Sequence, residues 1–551
     1  MDFSIKFDVK KLGVPNHAKL TPHKLALITH DRTITFQELD QTTNAMANGF
    51  LKIGIQPGDR FAILMRNGTE IIQAWSAAAK IGVTPIAVNY RFKSDELAHI
   101  INDSESKALI FSEEFSDVVK SAEPLFANKS LVYIGVGKVS EESHLSLEAL
   151  LRSGGSGPPS LTPDLHGVSS MIIYTSGTTG RPKGVFKTSR NRLNSLLGYA
   201  YNFESTYDDV HLAAGPLCHA APYAWAAFSL LLGNTVVIIK KFDAEEFLRL
   251  VQEYRVTTTF VAPTMLNRIL RLPESIKNSY DISSLRVMTM GGEACPFALK
   301  KRTIEFFDKT RIFEFYGGTE TSVVTYLRPE DQLRKPGSCG KPVLGSKIKL
   351  LDGQMEEVAP GEAGVLYVKN GFLMDYYFNN PEATRNCTHN GYITMGDVAR
   401  VDEDGYYNIV GRAVDMVLSG GVNIYPPEIE ETLHHHPDID DVAIIGAPDP
   451  EWGEKLVAFV VPVQGSELTA ADIQDFVASR MASYKKPKEV IFVDEIPYSV
   501  SGKKLKRVLR ETYAGMVEQS DPKLSRSPMK SPHGGCQGVN PSVESKAITD
   551  G

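Results

Sequence analysis

Short apolar runs alternate with amphipathic segments through the larger, N-terminal part of the chain. The apolar runs predict buried strands at Arg60–Met65, Thr84–Val88, Lys107–Phe111, Leu131–Ile134, Thr235–Ile239, Thr257–Val261 and Val287–Met290. Helical periodicity predicts helices at Thr69–Lys80, Glu245–Tyr254 and Pro296–Phe307. Strands that alternate with helices are typical of βαβ units, so the pattern predicts an α/β fold with mostly parallel, stacked sheets.

The pattern changes after residue 330. Short strands between glycine-rich turns predict a small β-subdomain, with strands at Lys347–Leu351, Gly364–Val368 and Tyr407–Val410. Beyond Gly411, helices and strands predict a compact α+β domain, at Pro426–His435, Val442–Gly446, Leu456–Val461, Ala470–Met481, Glu489–Phe492 and Lys504–Tyr513. We therefore predict an N-terminal domain over 1–411, a mobile C-terminal domain over 412–513 and a disordered, Ser-, Pro- and Gly-rich tail over 514–551.

Composition and charge place the chain in an ordinary globular class. Hydrophobic residues make up 42% and charged residues 23%, and the formal net charge is -7, which gives no electrostatic footprint for nucleic acid or anionic membrane. Five scattered cysteines lack metal-ligand or disulfide-framework spacing, which favours a reducing compartment. The N-terminus lacks a signal-peptide pattern, and the apolar stretch Ala224–Ile239 is too short to span a membrane. These features predict a cytoplasmic enzyme without a membrane segment, and they leave a homodimer open.

The segment Tyr174–Gly184 carries the strongest chemical signal. It follows the apolar residues Met171–Ile173 and reads YTSGTTGRPKG. Glycines permit positive φ and close backbone approach, so successive N–H groups can point at one anion, while hydroxyls and Lys183 add further donors. The spacing is not that of a Walker loop, because no Gly-Lys-Ser/Thr triplet follows. The segment therefore predicts a phosphate-binding loop after a strand.

This loop closely resembles the phosphate-loop signature of the adenylate-forming enzymes, a superfamily that includes acyl-CoA synthetases and 4-coumarate:CoA ligases. Five further segments resemble the family's adenine turn, YGxTE motif, aspartate motif, hinge and CoA-gating segment, and catalytic-lysine motif. They lie in family order at Gly291–Pro296, Tyr316–Glu320, Tyr392–Asp397, Gly411–Glu430 and Ser501–Lys503. The resemblance implies an enzyme of two half-reactions, in which ATP and a carboxylic acid form an acyl-adenylate and CoA then accepts the acyl group.

The resemblance also implies roles for individual residues. Glu320 would bind Mg²⁺, which prefers oxygen ligands and bridges phosphates, and Thr319 would donate to the α-phosphate. Asp397 would accept both ribose hydroxyls, and Arg412 would hold the ribose from the other side. Tyr316 is expected to pack as much as to function. The full ATP site implied by the resemblance comprises Thr175, Ser176, Gly177, Thr178, Thr179, Lys183, Gly292, Glu293, Ala294, Tyr316, Gly317, Gly318, Thr319, Asp397 and Arg412.

The stretch from Pro216 to Ala220 is similar to the family's acid-pocket motif. The resemblance assigns His219 as a gate of the acyl site, with a buried core histidine as the alternative, and adds Gly317 to that site. The stretch His219–Leu232 has no acidic residue, which disfavours an amino acid substrate because a buried ammonium would lack a partner. Three aromatic residues there predict a hydrophobic acid, fatty or aryl: Tyr223, Trp225 and Phe228.

Only a few residues indicate a CoA-binding site. Lys241 matches a position that contacts CoA phosphate in relatives, although an ordinary surface lysine at a strand end is the alternative. Gly420 and Gly421 fit a narrow pantetheine passage, and Trp452 lies in a segment that resembles its border. The run 434–436 of three histidines does not indicate a metal site, because neighbouring residues on a helix point in different directions.

Together these features predict an AMP-forming carboxylic acid:CoA ligase. Lys503 is expected to neutralise charge during adenylation, whereas Lys504 and Lys506 are assigned to the basic start of a helix with little role. Val414 is predicted as the hinge, where relatives usually carry Asp or Lys. Acyl transfer to a carrier protein is one alternative, which the lack of a carrier domain after Tyr513 disfavours. An inactive ATP-binding relative is the other, which the intact motif residues disfavour.

Overall fold

The computed structural model describes residues 11–138, 144–160, 169–175, 182–191, 198, 202–420, 422–498 and 504–520. Among these residues, the first large sheet has nine strands. In spatial order they are Lys341–Pro342, Ser322–Leu327, Arg311–Gly318, Val287–Met290, Thr258–Val261, Val210–Ala213, Thr235–Ile238, Leu25–Ile28 and Thr33–Thr35. The central pairs are parallel and the outer pairs antiparallel.

The second large sheet has eight strands within the described part of the chain. Their order is Tyr376–Tyr377, Lys183–Lys187, Met171–Thr175, Thr84–Ala87, Arg60–Leu64, Ala108–Ser112, Val132–Val136 and Leu145–Ser146. Five of the seven pairs are parallel, and only those of the strand Lys183–Lys187 are antiparallel. The predicted α/β class with mostly parallel sheets is confirmed.

One hydrophobic cluster joins the two large sheets. It contains side chains from both sheets together with apolar faces of the helices Phe36–Lys52, Thr69–Ile81 and Ala220–Leu232. The strands are short and nearly continuously apolar because helices cover them, as expected of parallel sheets. This packing brings the carboxyl end of Met171–Thr175 from one sheet close to the turn after Arg311–Gly318 of the other.

The described helices span Val14–Leu20, Phe36–Lys52, Thr69–Ile81, Ser94–Asp103, Ser116–Ala122, Leu147–Gly154, Ala220–Leu232, Ala244–Glu253, Pro263–Leu270, Glu274–Lys277, Phe297–Phe306, Pro381–Asn386, Pro426–Leu433, Ala470–Ala478 and Lys506–Ser520. Within the described ranges, none is long and apolar enough to cross a membrane.

A small antiparallel sheet follows the first large sheet in the chain. Its strands are Lys347–Leu351, Gly364–Lys369, Thr388–His389, Tyr392–Val401 and Tyr407–Arg412. The last two form a hairpin in which Asp397 and Arg412 are register partners. The hairpin thus places the predicted aspartate motif beside the predicted hinge arginine.

The C-terminal sheet contains the strands Val417–Ser419, Val422–Ile424, Ile439–Asp449, Gly453–Pro462 and Glu489–Phe492. Successive residues of Ile439–Asp449 enter two different hydrophobic clusters, so both faces of this sheet are covered.

The terminal helix differs from the prediction at both of its ends. The terminal helix begins at Lys506 rather than Lys504, and it continues to Ser520, past the predicted end at Tyr513 and into the stretch predicted to be disordered. The extension has a physical reason, because Leu509, Tyr513 and Val517 are spaced by four residues and pack on one cluster of the C-terminal sheet.

Candidate active site

The predicted phosphate loop begins and ends at neighbouring points of the second large sheet. Thr175 and Lys183 are register partners on antiparallel strands, and the residues 176–181 between them lie outside the described ones. The Lys183 ammonium lies 5.6 Å from the centre of the Tyr377 ring. The two described ends of the loop therefore bring one hydroxyl and one positive charge to the same edge of the sheet.

Glu320 connects this edge to the first large sheet. Its carboxylate accepts hydrogen bonds from the Tyr377 hydroxyl at 2.9 Å and from the Thr175 hydroxyl at 3.4 Å. Burial and the neighbouring Glu320 raise the pKa of Tyr377, so this phenol stays protonated and donates. Sequence reasoning missed Tyr377, because a tyrosine pair after a loop carries no motif. Thr319, next to Glu320, is half-exposed.

A second group forms around Asp397, which is 7% exposed. The Tyr316 hydroxyl donates to Asp397 Oδ2 at 2.7 Å, and Arg412 Nε donates to Oδ1 at 3.1 Å. Burial and the Asp397 charge raise the pKa of Tyr316, which therefore remains a donor. Tyr316 has a specific polar contact in addition to its packing. We call Tyr316, Asp397 and Arg412 the ribose triad, after the ligand group predicted for it.

Two glycines keep these groups close together. A Cβ at Gly317 would lie 1.9 Å from the Ser322 carbonyl oxygen, and a Cβ at Gly318 would lie 2.3 Å from Met395 Sδ. Met395 precedes Asp397 by two residues, so the missing side chain at 318 leaves room for Met395 where the Glu320 turn lies against the aspartate strand. Both glycines thus have a packing role in addition to the ATP-binding role that the resemblance implies.

The predicted adenine turn follows the strand Val287–Met290. Gly292 has a φ of 95°, and Gly292 and Ala294 are exposed, so their backbone is accessible to a ligand. The Thr264 N–H donates to the Glu293 carboxylate at 3.3 Å, and Gly291 lies flat against the Phe315 ring, where a Cβ would come within 2.7 Å. The strand Arg311–Gly318 therefore supports this turn through Phe315 and reaches the ribose triad through the next residue.

The predicted acyl residues are only partly brought together. His219 is half-exposed at the residue before the helix Ala220–Leu232. Trp225 stacks on Phe315 with ring centres 5.2 Å apart. Tyr223 lies on another face of the helix and stacks on Trp75 at 4.1 Å. Tyr223 and Trp225 therefore contact different parts of the protein, because residues two apart on a helix point in different directions.

On the CoA side, the structure joins two predicted residues. Gly420 has a φ of 57°, its N–H donates to the Trp452 carbonyl at 2.9 Å, and a Cβ there would lie 2.8 Å from the Trp452 ring. The Lys488 ammonium lies 5.3 Å from the centre of the same ring, a contact that the sequence did not indicate. Lys241 is exposed after the strand Thr235–Ile238. Gly421 lies outside the described residues.

The predicted hinge residue Val414 is 52% exposed within the turn Ala413–Asp415. Arg510 of the terminal helix donates to Asp415 Oδ1 at 2.8 Å and approaches the Val414 carbonyl at 3.5 Å. Lys503 lies outside the described residues. The prediction that Lys504 belongs to the helix start was wrong, because the helix begins at Lys506, and Lys504 has several ionic and polar partners.

Comparisons with known proteins identify the family of the chain. The model of the AMP-binding enzyme family matches residues 14–378, and that of the AMP-binding enzyme C-terminal domain matches residues 428–503. A feruloyl-CoA synthase of an Amycolatopsis species is 34% identical over 499 residues, covering 90% of this chain and 97% of the relative. The long-chain-fatty-acid–CoA ligase FadD13 of Mycobacterium tuberculosis is 34% identical over 522 residues, covering 92% of this chain and 100% of the relative.

A solved structure is similar over the same range. The o-succinylbenzoate CoA synthetase from Bacillus subtilis, in complex with an acyl-adenylate intermediate, superposes with a TM-score of 0.79 at 30% identity. The match covers 90% of this chain and 97% of that one.

Proposed function

Because the chain belongs to the family of AMP-binding enzymes, we infer that it is an AMP-forming carboxylic acid:CoA ligase. It joins a carboxylic acid to ATP, releases pyrophosphate, and passes the acyl group from the bound adenylate to the CoA thiol. The observation that carries this function is the approach of Thr175 and Glu320 from the two large sheets, beside Lys183 and Tyr377. This edge lies against the aspartate strand that holds the ribose triad.

In the first step, two anions must approach each other, so charge neutralisation and positioning dominate the chemistry. Lys183 offsets the charge of the departing pyrophosphate, and Thr319 donates to the α-phosphate. Asp397 and Arg412 bind the ribose, and the exposed backbone of Gly292 to Ala294 borders the adenine. Lys503 neutralises the charge that builds up between carboxylate and α-phosphate.

The donors around Glu320 fit Mg²⁺. The Glu320 carboxylate and the neighbouring Thr175 hydroxyl offer oxygen atoms, which this ion prefers, whereas the Tyr377 hydroxyl donates its hydrogen bond to the carboxylate. The described residues contain no group of three or more His, Cys, Asp or Glu side chains that could hold a metal alone. That agrees with an ion bound by one or two carboxylates plus substrate phosphates. Mg²⁺ would offset phosphate charge, and Glu320 would hold it, with Tyr377 fixing the carboxylate.

The acid is hydrophobic, either aliphatic or aryl. The region of Trp225 and Phe228 is strongly apolar, and the names of the relatives include both a feruloyl and a long-chain fatty acid ligase. His219 gates this site, and CoA passes along Gly420, Gly421 and Trp452. A cytoplasmic location and a homodimer remain predictions from the sequence.

Product analysis tests this function. The purified enzyme is incubated with ATP, Mg²⁺, CoA and a panel of aliphatic and aryl acids, and nucleotide products are separated. We expect acid-dependent AMP and pyrophosphate with CoA thioester. Acid-dependent ADP would contradict the assignment, and thioester formation on a holo-carrier protein but not on CoA would indicate the carrier-protein alternative.

A further inference from the structure

A single carboxylate contacts the two described residues that flank positions 499–503, where Lys503 lies in the sequence. Asp441 Oδ2 accepts a hydrogen bond from the Tyr498 hydroxyl at 2.6 Å, and Asp441 Oδ1 lies 3.2 Å from the Lys504 ammonium. The backbones of Tyr498 and Lys504 also form an antiparallel bridge, and the Leu505 N–H donates to the Pro497 carbonyl at 2.8 Å. Residues 499–503 themselves lie outside the described ones, so the contacts define the two residues on which that segment begins and ends.

A second carboxylate supports the first. Glu430 lies 3.8 Å from the Lys504 ammonium and 2.6 Å from that of Lys506, and its Oε1 accepts the Ile444 N–H at 2.8 Å. Lys504 also donates to the Val442 carbonyl. The side chains of Glu430, Lys504 and Lys506 are 11%, 19% and 11% exposed. Charges this well shielded are costly to leave unpaired, so removal of one partner should disturb the others.

The support of this cluster is rigid. Asp441, Val442 and Ile444 belong to the strand Ile439–Asp449, which pairs with Gly453–Pro462 over nearly its whole length. Hydrophobic clusters cover both faces of that strand pair. A side chain anchored there has little freedom, and it transmits that restraint to its partners.

We propose that Tyr498, Asp441 and Lys504 form a clamp that positions the segment carrying Lys503 for the adenylation step. The three are positioning residues, since none needs to touch substrate. The proposal rests on the proposed function, because the role of Lys503 is part of it. A lysine side chain is long and flexible, so its ammonium can be preorganised only if the backbone on both sides of it is fixed. Misplacement of a reacting group by about 1 Å can cost about 10²-fold in rate.

The test compares the two half-reactions in single turnovers. Tyr498→Phe deletes one hydroxyl from a side chain that is 46% exposed, and Lys504→Met removes the charge while retaining much of the side-chain length. We expect each variant to slow pyrophosphate release on mixing with acid and ATP by about tenfold or more. Thioester formation from a supplied acyl-adenylate should stay within about twofold, because that step does not use Lys503.

The C-terminal sheet offers a matched control. The Tyr513 hydroxyl donates to Glu489 Oε2 at 2.7 Å, and the Lys455 ammonium lies 2.9 Å from the same oxygen. This group has the same chemistry as the clamp, but it joins the terminal helix to two strands rather than the ends of residues 499–503. Tyr513 is 7% exposed, so Tyr513→Phe should lower the unfolding temperature at least as much as Tyr498→Phe does, without separating the two half-reaction rates.

Each outcome decides the proposal. Selective loss of adenylation in Tyr498→Phe, absent in Tyr513→Phe, supports it. Unchanged adenylation, or equal slowing of both steps, overturns it. If Lys504→Met does not fold, Tyr498→Phe alone decides. A wild-type enzyme that releases no acid-dependent AMP would instead refute the proposed function, and the same assay shows this before any variant is measured.

Discussion

Two groups of the same composition, a tyrosine, an aspartate and a cation, lie in different parts of the molecule. In the ribose triad, Asp397 accepts from Tyr316 at 2.7 Å and from Arg412 at 3.1 Å. In the clamp, Asp441 accepts from Tyr498 at 2.6 Å and lies 3.2 Å from Lys504. The distances are nearly equal, so geometry within each group does not distinguish their roles.

What each group joins does distinguish them. The ribose triad connects the first large sheet to a hairpin of the small sheet, and the side chain of Arg412 is 36% exposed, against 10% for Asp397. A ligand can therefore reach Arg412 and replace it as the hydrogen-bond partner of an Asp397 oxygen. The clamp joins the ends of one short segment to a rigid strand, and Lys504 has further partners in Glu430 and Val442. We infer that the ribose triad binds and releases a ligand, whereas the clamp holds a segment of the chain in place.

The largest effect should come from the residue that the clamp serves. Lys503→Ala removes a preorganised charge from the adenylation step, and such losses cost about 10²–10³ in rate. The variant should still convert a supplied acyl-adenylate to the thioester. Pyrophosphate release in single turnovers measures the first step, and thioester formation the second.

The control for this variant is Arg507→Ala, because Arg507 is 63% exposed and pairs with Glu511 in its own helix. It should leave both steps within about twofold of wild type. Normal pyrophosphate release by Lys503→Ala would show that the resemblance to the family's lysine motif misplaced this residue. The clamp would then have no catalytic segment to position.

The ribose triad should respond through ATP binding instead. Asp397→Asn keeps an acceptor for Tyr316 but removes the charge. A hydrogen bond to a charged group contributes about 1.5–3 kcal/mol, so KM for ATP should rise about 10- to 100-fold. KM for the acid should change little, since the ribose does not contact it. Initial rates at varied ATP and varied acid measure the two constants, and a rise confined to the acid would contradict the assignment.

Many helices and strands of this molecule could be predicted from local sequence rules, but the ribose triad and the clamp were not equally predictable. The resemblance to the family's aspartate and hinge motifs indicated Asp397 and Arg412, because such motifs repeat in a family and lie in fixed order along the chain. Asp441 and Tyr498 carry no motif, and they are 57 residues apart in the sequence. Their contact depends on the pairing of the C-terminal sheet, which a single sequence does not encode locally.

The errors have the same origin. The sequence places Tyr223 near Trp225, yet helix geometry sends their rings to different clusters. Lys504 reads as one more basic residue before a helix, and only the approach of Glu430 and Asp441 distinguishes it from Arg507. Tyr377 was missed because its partner Glu320 is 57 positions away in the chain. Long-range contacts of single polar side chains therefore escaped prediction, whereas the periodic elements were predicted except for the bounds of the terminal helix.

A smaller effect is expected from a substitution at Val414, the predicted hinge residue. Val414→Pro fixes φ near −65° and removes an N–H, in the turn that we predict absorbs a reorientation of the C-terminal domain. We expect adenylation to remain mostly intact, whereas thioester formation slows by about tenfold, or about 1.4 kcal/mol in activation free energy. Single-turnover rates of the two steps measure this. Equal slowing of both would indicate general misfolding, and no effect on the second would place the hinge elsewhere.

The smallest effect concerns the ion pair between Arg510 and Asp415. It joins the terminal helix to the hinge turn at 2.8 Å, with side chains that are 35% and 21% exposed, so it resembles neither the shielded clamp nor the ligand-facing triad. A partly exposed pair contributes at most about 1 kcal/mol, or about fivefold in a population. Because the pair exists in the described orientation, Arg510→Gln should lower the population of that orientation relative to the other. The half-reaction that uses this orientation should slow and the other should not, so the ratio of the two single-turnover rates should change about two- to fivefold.

The control is Arg507→Gln, whose pair lies within one helix and which should leave the ratio unchanged. An equal change of both rates in Arg510→Gln would mean that the ion pair stabilises the fold without favouring either orientation.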